Sequence, residues 1–126
     1  MDMSANKKIL VVEDDKTLLD ILVARLTKEG YGVYPAANGQ EGLAEALKIK
    51  PDLILLDIIM PPMNGIDMIK KLRQDPWGKD ARVVFLTNLS SAEELKASLE
   101  YSAIDYFIKA DFSLDNLMAK IKNLLQ

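Results

Sequence analysis

Pro51-Asp52-Leu53-Ile54-Leu55-Leu56-Asp57 is a short apolar run that ends in a carboxylate, with the turn-forming residues Met60-Pro61-Pro62 beyond it. A run of Leu and Ile this short predicts a strand that is buried on both faces, as in a parallel sheet. Asp57 is then expected at the carboxyl end of the strand, the edge at which ligands bind in open α/β sheets. Asp57 is therefore a candidate for chemistry; the simpler alternative is that it ends the strand and caps the following loop.

Four more strands are predicted, because four other short runs are rich in apolar and β-branched residues and end at polar or turn-forming residues. They cover Lys7–Val12, Tyr31–Ala36, Arg82–Leu86 and Ile104–Ile108. Pro35 suits an edge strand, because it has no N–H to donate to a neighbouring strand.

Helical spacing of apolar residues predicts five helices, one after each strand. Their apolar positions run from Leu18 to Leu26, from Leu43 to Leu47, from Ile66 to Leu72, from Leu95 to Leu99 and from Leu114 to Leu125. Gly30 is expected to end the first helix, and Asn38 to cap the second with Glu41 as its capping-box partner. The apolar face of the second helix is expected to consist of Leu43, Ala46 and Leu47. Trp77 is expected to pack at the surface and not to form a binding platform.

Strands that alternate with helices predict an α/β fold, with one five-stranded parallel sheet and helices on both faces. The expected strand order is 2-1-3-4-5, whose switch point lies between the first and third strands. Glu13 and Asp14, which follow the first strand, are therefore expected to meet Asp57 across this crevice. Thr87 and Lys109 follow the fourth and fifth strands and are expected at the same edge.

The composition limits the kinds of site and partner that the chain can have. The 126 residues are 49% hydrophobic and 28% charged, which predicts a single soluble domain over 1–126. The strands and helices predicted above place its core at about 7–125. The chain has neither Cys nor His, which excludes thiolate and imidazole ligands, a His general base and a phosphohistidine on this chain. The net charge of −3 argues against direct nucleic-acid binding. Without a long apolar run or a targeting signal, a cytoplasmic protein with no membrane contact is expected.

Clustered carboxylates repel: a pair about 4 Å apart costs about 4 kcal/mol at an effective dielectric constant of about 20. A divalent cation offsets this most simply, and oxygen ligands favour Mg²⁺, Mn²⁺ or Ca²⁺. Mg²⁺ commonly shares such a site with a substrate phosphate, so phosphoryl chemistry is indicated. Asp57 is then expected to be a nucleophile that forms an aspartyl-phosphate, with Lys109 and the Thr87 hydroxyl as donors to the phosphoryl oxygens. The alternative is that these residues are helix-start acids, a turn former and a surface charge.

Four motifs carry a family resemblance. They are Leu10-Val11-Val12-Glu13-Asp14, Leu55-Leu56-Asp57 through Met60-Pro61-Pro62-Met63-Asn64-Gly65, Phe85-Leu86-Thr87, and Asp105-Tyr106 followed by Lys109. Together they resemble the receiver domain of bacterial two-component response regulators. This family includes the chemotaxis regulator, and its fold is flavodoxin-like. The resemblance covers about Lys7 to Leu125.

The resemblance implies a phosphorylatable signalling switch that catalyses its own phosphorylation and dephosphorylation. Asp57 would accept a phosphoryl group from a phosphohistidine of a sensor histidine kinase or of a histidine phosphotransfer protein. Mg²⁺ (or Mn²⁺) would be bound directly by Asp14, Asp57 and the carbonyl of Ile59, with Glu13 acting largely through water.

It also implies how the signal leaves the site. Thr87 and Tyr106 would be a switch pair, and Lys109 would be the partner of the phosphoryl group. Phosphorylation would alter the surface formed by the fourth helix, fifth strand and fifth helix, which would meet a downstream effector protein, a fused output domain or a second copy of the chain.

Four positions depart from the family pattern. Glu13 stands where Asp is frequent, and Asn64 replaces a frequent Asp. Ser102 stands where Gly usually precedes Ala, so the end of the fourth helix is expected to be strained or reshaped if that turn needs a positive φ. Ala110 stands where Pro usually follows the Lys, and a cis peptide bond costs far more without Pro. We therefore expect a trans Lys109-Ala110 bond; the alternative is a strained cis bond that the surrounding site holds in place.

Other functions fit the sequence less well. An Asp-dependent phosphatase on a related sheet needs a second acid two residues after its nucleophile, where this chain has Ile59. A flavodoxin-like FMN binder needs a Ser/Thr/Gly-rich loop after the first strand, where this chain has acids. A pseudo-receiver, an interaction module that keeps the fold without phosphotransfer, is the main alternative, although the acids, Thr87 and Lys109 are all present.

Overall fold

The computed structural model describes residues 7–57, 65–87, 105–108 and 113–125, and only the backbone of Thr87 and of 105–108. In this part of the chain the strands are β1 (Lys8–Val12), β2 (Gly32–Ala36), β3 (Leu53–Asp57), β4 (Val83–Thr87) and β5 (Asp105–Ile108). The helices are α1 (Lys16–Lys28), α2 (Gly39–Ile49), α3 (Gly65–Arg73) and a C-terminal helix (Leu114–Leu125), with a 3₁₀ turn at Gly78–Asp80. The predicted helix that carries Leu95 and Leu99 lies outside the described residues.

The strands form one parallel sheet in the order β2-β1-β3-β4-β5. This confirms the predicted α/β fold and its strand order. β2 lies at an edge, as Pro35 suggested, and β3 lies at the centre between β1 and β4. All five residues of β3 are buried, which is the two-sided burial predicted from its unbroken apolar run.

Alternate residues of the strands enter two separate cores, because successive side chains point to opposite faces of a sheet. Leu53 and Leu55 pack with side chains of α1 and the C-terminal helix, including Leu22, Leu26, Leu117 and Ile121. Ile54 and Leu56 pack with side chains of α2 and α3, including Ala46, Met68, Ile69 and Leu72. The helices therefore cover both faces of the sheet, as predicted.

Gly30 ends α1 in the way the sequence suggested. Its φ is 99°, a left-handed conformation that favours glycine. The Gly30 N–H donates to the Thr27 carbonyl (3.0 Å) and the Tyr31 N–H donates to the Leu26 carbonyl (3.2 Å), which together form a Schellman motif. The motif turns the chain into β2 and buries Tyr31 in the same core as Leu26.

The prediction for α2 is confirmed at its start. The Asn38 side chain accepts from the Glu41 N–H (2.9 Å), and the Glu41 carboxylate accepts from the N–H of Ala37, one residue earlier than in a standard capping box. The helix is therefore capped as predicted, except that the N–H that donates to the Glu41 carboxylate belongs to Ala37 and not to Asn38.

The predicted apolar face of α2 is wrong at Leu47, which is 38% exposed. The buried positions are Gly39, Gly42 and Ala46. A Cβ on Gly42 would lie 2.8 Å from a methyl carbon of Val12 and 3.1 Å from the sulfur of Met68. The helix therefore approaches the sheet along its smallest residues, and this rotates Leu47 toward solvent while Leu43 stays half-buried against the core.

The connection between α3 and β4 is tied down by Arg73. Its guanidinium donates to the carbonyls of Gly78 (2.6 Å) and Ala81 (2.8 Å), and burial lowers the pKa of Arg73 below its ordinary value. Trp77 is half-buried and packs against the core, which agrees with the packing role predicted for it. The ring also borders an open groove of about 340 Å³ near the amino ends of β3 and β4.

No helix in the described ranges combines the length and the apolar character needed to cross a membrane.

Candidate functional site

Three acids meet at the carboxyl edge of the sheet. Glu13 directly follows Val12, which pairs with Leu56, and Asp57 is the next residue of β3. Carboxylate oxygens of Glu13, Asp14 and Asp57 lie within 4.8 Å of one another. The strand order therefore brings the acids together across the β1–β3 crevice, as predicted.

The three acids differ in their access to solvent. Glu13 is 0% exposed and Asp57 is 5% exposed, whereas Asp14 is an exposed residue. Burial of two neighbouring carboxylates is costly unless hydrogen bonds or a cation compensate for the charge. A ligand from solvent would reach this cluster on the side of Asp14.

Asp57 is held by pairing on both sides of β3. Leu56 pairs with Val12 of β1, and Asp57 itself pairs with Leu86 of β4. A carboxylate at the end of such a strand is positioned more firmly than one on a loop. The position suits a group whose carboxylate must meet a reaction partner in a fixed orientation.

Glu13 is anchored through both its main chain and its side chain. Its N–H donates to the Ala36 carbonyl of β2 (3.0 Å), and its Oε2 accepts from the N–H of Asp15 (3.1 Å). Its burial and this side-chain bond were not predicted, because acids beside one another in a sequence do not reveal which of them faces inward.

Asp15 has a different role from its two neighbours. Its Oδ1 accepts from the N–H groups of Thr17 (3.0 Å) and Leu18 (3.3 Å), so it is the N-cap of α1. Starting the helix was the alternative role for Glu13 and Asp14. The cap assigns that role to Asp15, while Glu13 and Asp14 join Asp57.

The backbone of Thr87 lies at the same edge as the acids. Thr87 ends β4 one residue after Leu86, the partner of Asp57, and it pairs with Ile108 of β5. Tyr106 pairs with Phe85 on the same two strands. Lys109 and the Ile59 carbonyl, both predicted to belong to the site, lie outside the described residues.

The three acids fit a hard divalent cation. All three ligand groups are carboxylates, and their oxygens are close enough to share one ion. Mg²⁺ and Mn²⁺ prefer such oxygen ligands, and Mg²⁺ retains waters that an exposed residue such as Asp14 can accommodate.

Comparison with known proteins agrees with this geometry. The family model of the response regulator receiver domain matches residues 9–122. The response regulator ArlR of Staphylococcus aureus is 36% identical over 119 residues, which are 94% of this chain and 52% of that protein. The chain thus spans about half the length of this curated relative.

Solved structures give the same result. Chemotaxis protein CheY4 of Vibrio cholerae superimposes with a TM-score of 0.86 at 29% identity, over 94% of this chain and 98% of that one. Response regulator protein TrrA of Thermotoga maritima, solved in complex with Mg²⁺-BeF, has a TM-score of 0.78 at 34% identity, over 94% of this chain and 98% of that one.

Proposed function

Because the chain belongs to the response regulator receiver domain family, we propose that it is a phosphorylatable switch whose Asp57 accepts a phosphoryl group from a phosphohistidine. The observation that carries the proposal is the cluster of Glu13, Asp14 and Asp57 at the carboxyl edge of β1 and β3. The donor would be a sensor histidine kinase or a histidine phosphotransfer protein.

In the proposed transfer, a carboxylate oxygen of Asp57 attacks the phosphorus atom in line with the phosphorus–nitrogen bond of the phosphohistidine. A new oxygen–phosphorus bond forms as the phosphorus–nitrogen bond breaks, and the electron pair leaves with the imidazole nitrogen. The firm pairing of β3 supports this role, because the attack requires an oriented oxygen.

Asp14 and Asp57 would hold Mg²⁺ or Mn²⁺ directly together with the Ile59 carbonyl, and Glu13 would act largely through water. When bound, the cation would neutralise charge on the acids and on the phosphoryl oxygens. The solvent exposure of Asp14 and the burial of Glu13 support this division of roles. The Mg²⁺-BeF in the TrrA complex supports a metal ion at the site.

Thr87 and Lys109 would donate to the phosphoryl oxygens, the former through its hydroxyl and the latter through its ammonium group. Thr87 and Tyr106 would then form the switch pair. The backbone positions support this pairing, since Thr87 ends β4 beside Asp57 and Tyr106 lies on the adjacent strand β5.

The changed surface would comprise the helix predicted between Ser91 and Leu99, β5 and the C-terminal helix. Its partner would be a downstream effector, a fused output domain or a second copy of the chain. We place the whole of residues 1–126 in one receiver domain that works in the cytoplasm and does not itself bind nucleic acid or membrane.

Incubation with acetyl phosphate and Mg²⁺, followed by intact mass measurement, tests the proposal. Wild type should gain the mass of one phosphoryl group, and the gain should disappear with a chelator. Asp57→Asn should not gain this mass, because an amide is a poor nucleophile.

Asp52→Asn is the matched control. Asp52 lies at the other end of the same segment, where its carboxylate accepts from the main-chain N–H of Lys8 (2.7 Å), so this variant should be labelled like wild type. A wild-type chain that gains no mass under these conditions would instead indicate a pseudo-receiver.

A further inference from the structure

Asp15 is the point at which the start of α1 and the acid cluster meet. Its side chain caps the helix by accepting from the N–H groups of Thr17 and Leu18, and its backbone has φ −76° and ψ 106°. Two bonds to one carboxylate oxygen hold the residue in this extended conformation. The direction of its own N–H is therefore fixed by the cap.

That N–H donates to Oε2 of Glu13 at 3.1 Å. Glu13 is 0% exposed, so the acceptor end of this bond is shielded from water. The Glu13 N–H in turn donates to the Ala36 carbonyl at 3.0 Å. A continuous set of hydrogen bonds thus runs from the first turn of α1, through Asp15 and Glu13, to β2.

We propose that Asp15 is a positioning residue for the metal site: its cap fixes the main-chain N–H that holds the Glu13 carboxylate beside Asp14 and Asp57. This inference rests on the proposed function, in which the acid cluster binds Mg²⁺. Asp15 acts through Glu13 and does not itself touch the cation. Because Asp15 acts only through Glu13, its removal can weaken metal binding by no more than the loss of about tenfold that is expected for Glu13→Ala.

Two variants of Asp15 distinguish the effect of its helix cap on Mg²⁺ affinity from the effect of its negative charge. Asn caps a helix about as well as Asp, and it keeps the main-chain N–H, but it carries no charge. If the cap matters, Asp15→Asn retains Mg²⁺ affinity and Asp15→Ala loses it. If the negative charge of Asp15 attracts the cation instead, both variants lose affinity.

The test is a calorimetric Mg²⁺ titration of wild type, Asp15→Ala and Asp15→Asn. We expect the dissociation constant of Asp15→Ala to rise about tenfold and that of Asp15→Asn to stay within about twofold of wild type. Asn38→Ala removes the equivalent cap of α2, so it controls for lost stability and should bind Mg²⁺ like wild type. Loss of affinity in Asn38→Ala equal to that in Asp15→Ala would overturn the proposal.

A double-mutant cycle then tests whether Asp15 acts through Glu13. Asp15→Ala should cause no further loss of Mg²⁺ affinity in a Glu13→Ala background; a further tenfold loss would contradict the positioning role. Amide hydrogen exchange without metal gives an independent measurement, in which the N–H of residue 15 should be protected in wild type and in Asp15→Asn and should exchange at least about tenfold faster in Asp15→Ala.

Different results would overturn the proposed function and the positioning role of Asp15. A wild-type chain that binds no Mg²⁺ would overturn the proposed function. A wild-type chain that binds Mg²⁺ with an affinity that Asp15→Ala retains would overturn the positioning role alone. Unchanged exchange at residue 15 in Asp15→Ala would also overturn it, with or without metal.

Discussion

The three acids of the site are chemically alike, but their surroundings differ. Glu13 is buried and bonded to a main-chain N–H, Asp57 is nearly buried at the end of a central strand, and Asp14 faces solvent. An exposed carboxylate can bind a hydrated ion with little desolvation, whereas a buried one whose orientation is fixed by a main-chain bond suits a supporting role.

Asp14→Ala should therefore weaken Mg²⁺ binding far more than Glu13→Ala. We expect Glu13→Ala to cost about tenfold, as for a group that acts around the ion, and Asp14→Ala to cost more than about a hundredfold. Titration of both variants by calorimetry measures the difference. Equal losses would contradict the assignment of direct and water-mediated roles.

Gly78 illustrates a steric requirement that concerns stability alone. A Cβ at this position would overlap the carbonyl oxygen of Leu72 at the end of α3. Gly78→Ala should lower the free energy of unfolding by about 3 kcal/mol, because main-chain atoms must move. A Cβ at Gly32 would lie 3.6 and 3.8 Å from its nearest atoms, so Gly32→Ala should change the free energy of unfolding by less than about 1 kcal/mol. Urea unfolding compares the two, and similar losses would contradict this steric explanation.

At the scale of elements, the sequence predicted the strands and most helix ends because each depends on a local signal. β3 is an unbroken apolar run, Gly30 supplies a left-handed residue, and Asn38 caps α2 by accepting from the Glu41 N–H (2.9 Å). The rotation of α2 depends instead on contacts between Gly42, Val12 and Met68, which are distant in sequence. Leu47 was misassigned for that reason.

The exposure of Leu47 predicts a small effect on stability. Leu47→Ala should change the free energy of unfolding by about 0.5 kcal/mol or less, as at other surface positions. Leu22→Ala, at a fully buried position of α1, should lower it by about 3 kcal/mol. Comparable losses of stability in the two variants would mean that Leu47 belongs to the buried face of α2, as helical spacing alone predicted.

At the scale of the whole molecule, strand order accounts for the acid cluster. The sheet places β1 beside β3, so acids far apart in the sequence become neighbours, and this followed from the alternation of strands and helices. The use of Asp15 as a cap could not be separated from the roles of Glu13 and Asp14, because three consecutive acids give one sequence signal. The placements of Lys109, Ala110 and Ile59 stay predictions.

A phosphoryl mimic should change more than the acid cluster. With Mg²⁺ and beryllofluoride, amide chemical shifts should change at Asp57 and also across β5, the C-terminal helix and residues 91–99, because the proposed switch pair would bias a two-state surface. Spectra recorded with Mg²⁺ alone provide the control. Changes confined to the three acids and their neighbours would mean that binding at the site is not transmitted to this surface.

The most direct test of the account is to locate the phosphoryl group itself. After incubation with acetyl phosphate and Mg²⁺, borohydride reduction converts a phosphorylated aspartate to homoserine, which peptide mass spectrometry assigns to a position. We predict homoserine at residue 57 and at no other aspartate, with none formed when Mg²⁺ is chelated. Homoserine at Asp14, Asp52 or another aspartate, with residue 57 unchanged, would contradict it.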